Sequence, residues 1–170
     1  MNIHKFTFVA VILIATNACR PGIEQAHSAD TVPIHTAWRD HQCRSDAASI
    51  ESIQDADALA IWWQPLASRQ LPAKPLPQSL GAVDFNESSV FVVLMGRQPT
   101  AGYDIELYDD RAPVQRASLT IPANWKKPSP DMMVAQVMTS PCIVITVPAD
   151  RYDIVTVQDQ RGNTLLESHF

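Results

Sequence analysis

Apolar positions change rhythm three times along this chain. The first block, Phe6-Thr7-Phe8-Val9-Ala10-Val11-Ile12-Leu13-Ile14-Ala15, follows Lys5 and is almost unbroken. About ten apolar residues are too few for a bilayer span, which needs roughly 20. With the basic start they form the n- and h-regions of a secretory signal, predicted over residues 1–18. Residues 19–31 show no period and are mostly polar or small, which predicts a tether. The second rhythm is helical. Ala56, Leu59, Ala60 and Trp63 make an i, i+3, i+4, i+7 stripe, and Asp55 and Asp57 sit where a helix dipole favours negative charge. Ser52 and Asp55 have capping-box spacing and Pro65 is expected to stop the helix, so the pattern predicts a helix over 53–64. Beyond a Pro-rich connector at 71–77 the period falls to two. Residues 90–95 are a continuous apolar run, and 103–108, 117–121 and 143–147 alternate wholly or in part. Residues 132–138 and 152–157 are further β-rich runs, and turn chemistry falls at 109–113, 148–151 and 160–163. The pattern predicts a mainly β domain over 32–170, an antiparallel β-sandwich or open barrel packed by a single α-helix.

Composition narrows the classes. A chain of 170 residues that is 46% hydrophobic and 18% charged suits one folded domain and argues against disorder. The formal net charge is −5, and no Lys/Arg run offers an electrostatic footprint for nucleic acid. The cysteines are informative by position. Ala15-Thr16-Asn17-Ala18-Cys19 resembles a bacterial lipobox, although Thr16 and Asn17 depart from the usual pattern. The resemblance implies acylation of Cys19 and a membrane-held tether over 19–31; ordinary cleavage after Ala18 without lipid is the alternative. Cys43 and Cys142 then remain in a compartment where disulfides persist, either bridged or as two buried thiols.

A family resemblance rests on particular residues. Val83-Asp84-Phe85, an apolar strand, then Gly96-Arg97-Gln98-Pro99-Thr100-Ala101-Gly102-Tyr103 is similar to the hallmark of the PrcB C-terminal domain. Ile61-Trp62 upstream and Thr139-Ser140-Pro141-Cys142 entering an apolar strand that ends at Val147-Pro148 extend it over about 48–165. Ala101 stands in place of the first glycine of the family's pair, and Cys142 in place of an aromatic residue, which suggests pairing with Cys43. The resemblance implies accessory work: an exported, lipid-anchored chain of a kind that includes a subunit supporting a cell-surface protease, without catalytic residues.

Two segments are candidate binding elements. In the first, Arg97 offers a guanidinium fork, Gln98 and Thr100 flank the stiff Pro99, and Gly102 permits close approach before Tyr103. It is either a binding loop or a tight connection in which Tyr103 caps the core. The second, residues 122–130, has proline at both ends and is expected to be a loop presenting Trp125 beside Lys126 and Lys127. Its tryptophan serves either as an interface anchor or as a cover for the end of the sandwich. Trp62 and Trp63 suit helical packing better than sugar stacking. His27, His35, His41 and Cys43 match no ligand spacing, and Asp104 and Glu106 read as a solvated strand face, so no metal, cofactor or catalytic residue is expected. Gly-x-Ser-x-Gly, His-Glu-x-x-His and P-loop patterns are absent. The expected function is non-catalytic: an envelope lipoprotein, periplasm-facing on the outer membrane, binding a protein partner such as a protease. A module for a glycan or peptidoglycan fragment is the competing class.

Overall fold

The unbroken apolar run at 90–95 has a direct cause: its strand is covered on both faces. The computed structural model describes residues 30–68 and 72–170. The signal segment, Cys19, His27 and the tether before Asp30 lie outside the described residues. Within them the chain runs β1 (Asp30–Pro33), β2 (His35–Asp40), β3 (Ser49–Ile53), α1 (Ala56–Ala67), the one-turn α2 (Gln78–Gly81) and β4 (Ser88–Leu94). It continues through β5 (Asp104–Leu107), β6 (Arg111–Gln115), β7 (Ser118–Lys126), β8 (Cys142–Pro148), β9 (Ile154–Gln158) and β10 (Thr164–His169). One sheet has the order β1-β6-β7-β9-β10, with β5 also paired to β7; the other has the order β2-β8-β4-β3. The domain is therefore mainly β, sandwich-like and without a closed barrel.

Side-chain alternation builds three layers. Phe91, Val93, Ile143, Ile145 and Val147 of the smaller sheet meet Ile105, Leu119, Ile121, Val155 and Val157 of the larger one. On the opposite face of the smaller sheet, Val90, Val92, Leu94 and Val144 pack with Leu59 and Trp63 of α1 and Leu80 of α2. Trp38 of β2 sits edge-on to Trp62 and Trp63, at centroid distances of 6.0 and 5.1 Å, which locks the helix onto that face.

Several expectations are corrected. Ser52 does not cap the helix; it is in β3, opposite Phe91, and Asp55 is the N-cap, its Oδ1 accepting from the Ala58 N–H at 2.7 Å. Pro65 does not end the helix. It lies exposed in the last turn, where it forfeits one backbone bond, while Leu66 and Ala67 pack on the core and hold the turn. Residues 122–126 are not a loop, because β7 continues through Pro122 to Lys126. The missing N–H falls where the strand's partner on one side changes from β6, last paired at Leu119, to β5, first paired at Ala123. Residues 132–138 form no strand; β7 is already flanked by β5 and β9 and offers no free ladder. Asp30 and Thr31, expected to end the tether, and Arg111–Pro113, expected in a turn, pair as β1 with β6. Finally, β7 and β9 are parallel rather than antiparallel, since the chain between them crosses through β8 in the other sheet.

Candidate functional site

The connection from β4 to β5 is stitched down along its length. The Gln98 N–H donates to the Thr139 carbonyl at 2.7 Å and the Thr139 N–H returns a bond to Gln98 at 3.0 Å. Thr139 Oγ1 donates to the Thr100 carbonyl at 3.0 Å, and the Ala101 N–H to Ala135 at 3.1 Å. Gly102, at φ +90°, lies against Pro128 and Val134, and Tyr103 packs half-buried on the inter-sheet core. These contacts give Gln98, Thr100, Gly102 and Tyr103 structural work. Pro99 and Arg97 stay exposed, and the Arg97 guanidinium pairs with the Asp46 carboxylate.

Asp46 belongs to a second segment brought here from far upstream. Cys43 and Cys142 form a disulfide, with their Cα atoms 5.9 Å apart, joining this segment to the start of β8. Ser140 reinforces the join: its Oγ accepts from the Ser45 N–H and donates to the Ser45 carbonyl, both at 2.9 Å. Arg44 is carried on left-handed backbone, φ +58°, and is exposed. Between the segments lies a shallow groove of about 470 Å³, with Arg44, Asp46 and Arg97 on its rim, Thr139 and Ser140 among its lining, and Met138 beside them. Of these residues the sequence reading singled out only Arg97 as a binding candidate. Nothing local marks the others, because the disulfide and the Ser140 clasp assemble them from separate stretches.

Trp125 is placed differently from its expected loop. It pairs with Ile105 in β7–β5 and packs half-buried against the inter-sheet core, so its ring covers the end of the sandwich. Its indole Nε1 is buried without a hydrogen-bond partner among the described residues. Lys126 pairs with Glu106, and Lys127 is exposed just beyond the strand. Asp104 lies 3.7 Å from Arg39 and 3.9 Å from His41, so the Asp104/Glu106 face is built into ion pairs. No group of three His, Cys, Asp or Glu suited to a metal occurs among the described residues.

Groups displaced from their ordinary acidity sit elsewhere. Burial, with Asp150 nearby, raises Tyr152, whose hydroxyl donates to the Pro148 carbonyl at 3.0 Å. Burial also raises Tyr108, with Asp109 and Asp159 adding to it. Hydrogen bonds from the Asn163 side chain and backbone hold Asp159 below the usual carboxylate range in the turn before β10. None of the three lines the groove.

Comparison with known proteins gives one result. Residues 89–148, from β4 to the end of β8, match the family model described as PrcB C-terminal. No curated protein and no solved structure matches the chain.

Proposed function

We propose, from the match of residues 89–148 to the PrcB C-terminal family model, that this chain is a non-catalytic accessory protein of a bacterial cell envelope. Its β-domain binds another protein and serves as a stabilising or regulatory subunit of an envelope protease. The family match carries the reading, since that resemblance implies a protease-complex subunit. Two further features support it. The signal-like start and Cys19 suit export and lipid anchoring on the periplasmic side of the outer membrane, and the Cys43–Cys142 bridge suits an oxidising compartment. The matched region also carries Met132, Met133, Val137 and Met138 with large apolar exposure, as an interaction surface requires. The glycan-binding alternative loses support, because the ring of Trp125 that would stack on a sugar packs on the core.

The test is affinity recovery from detergent-solubilised envelopes with tagged wild type and an Arg97→Ala, Met133→Asp double variant. Trp125→Ala is avoided because it would open the core. A protease, or a chain bound to one, recovered with wild type and depleted with the variant is the expected result. Recovery of no specific protein under gentle crosslinking would overturn the proposal.

A further inference from the structure

We propose that the exposed strip at 132–138 and the adjoining Arg44/Arg97 groove form one docking channel for an acidic, apolar peptide segment of a partner protein. The inference rests on the protein-binding reading above and specifies the chemistry of the partner. Three observations carry it.

The first is unsatisfied surface. Met133 is fully exposed (100%), and Met132 (58%), Val137 (48%) and Met138 (60%) are largely so, in a segment that covers no core. Among the described residues, the backbone N–H groups from Met133 to Met138 have no protein acceptor. These donors suit the carbonyls of an incoming peptide, and methionine side chains adapt to varied apolar ones.

The second is continuity. Met138 belongs to both the strip and the groove, and its carbonyl accepts from the Gln42 side chain at 3.1 Å. A peptide lying along the strip therefore runs directly onto the Arg44/Arg97 rim.

The third is charge. The rim holds two arginines against one carboxylate, in a chain whose formal net charge is −5. Asp46 engages Arg97, whereas the Arg44 side chain makes no ion pair or hydrogen bond among the described residues. Arg44 stands at φ +58°, a conformation that glycine adopts without strain. A cationic rim on an acidic protein selects a carboxylate and repels basic segments.

The experiment uses the full chain in detergent and two fluorescent peptides with identical apolar residues, one with aspartate and one with lysine at the intervening positions. Wild type is expected to bind the aspartate peptide and to protect the amides at 133–138 from hydrogen exchange. Arg44→Gly should weaken binding about tenfold, the loss of one charge-assisted hydrogen bond. Its thermal midpoint should hold or rise, because the substitution relieves backbone strain, so lost binding cannot be assigned to unfolding. Met133→Asp should remove measurable binding. Equal affinity for the two peptides, binding of neither, or unchanged affinity in Arg44→Gly would overturn the inference. If wild type still recovers a protein from envelopes while any of these holds, the docking channel falls alone. If it recovers none, the protein-binding reading falls as well.

Discussion

At Gly96 a Cβ would stand 2.8 Å from the Ala47 carbonyl carbon and the Ala48 nitrogen, on backbone already at φ +75°. Gly96→Ala therefore combines conformational strain with a clash against backbone that cannot rotate away. We expect a loss of about 2–4 kcal/mol in urea denaturation. Gly162 is the control: its φ is +81° but nothing lies within 4 Å of its Cβ position, so Gly162→Ala should cost only about 1–2 kcal/mol. Equal losses at the two sites would show that contact with Ala47 and Ala48 is unimportant. The sequence marks Gly102 as a place for close approach, and Pro128 and Val134 do press on it. It could not mark Gly96 in the same way, because the atoms that crowd it belong to a segment far upstream, brought there by the tertiary fold.

Among elements, α1 illustrates what local pattern can and cannot specify. The stripe Ala56, Leu59, Ala60, Trp63 made the helix legible, and Leu59 and Trp63 are its buried residues. Its start was displaced because Ser52 offers equally good capping chemistry, but its backbone is committed to the β3–β4 ladder. Asp55→Ala should cost about 1 kcal/mol. Ser52→Ala should leave stability nearly unchanged, since its hydroxyl accepts only from the Gln54 side chain. The reverse ranking in denaturant titrations would restore Ser52 as the cap. In β7 the alternating series Leu119, Ile121, Ala123, Trp125 was present in the sequence, and all four face the inter-sheet core. Pro122 concealed it, because the partner exchange that lets a proline stand inside this strand involves β5 and β6, whose pairing with β7 the local alternation does not encode.

For the whole molecule, the layers follow from burial: a strand apolar on both faces implies cover on both, and the helix supplies one of them. The groove was beyond reach, since its lining comes from 42–46, Arg97 and 138–140, and only the folded sheets bring these together. The cysteine pairing depended on the same geometry. With the bridged residues 99 apart in sequence, the chain-entropy model assigns the Cys43–Cys142 link about 4–5 kcal/mol. Replacing both cysteines with serine should lower stability by up to that amount under denaturant. It should also increase hydrogen exchange at 43–46, where the bridge secures the groove's rim. No change in either measurement would mean that the Ser140 bonds alone hold the segment.

The parallel pairing of β7 with β9 also orders events in time. During folding the far edge of β7 stays uncovered for the interval in which β8 is laid into the other sheet and residues 154–158 have yet to dock. Throughout that interval β7 presents an open ladder rich in buried-type residues, the kind of edge that invites pairing with a neighbouring chain. A folding intermediate that has formed β7 but not yet docked β9 is therefore the species most exposed to self-association.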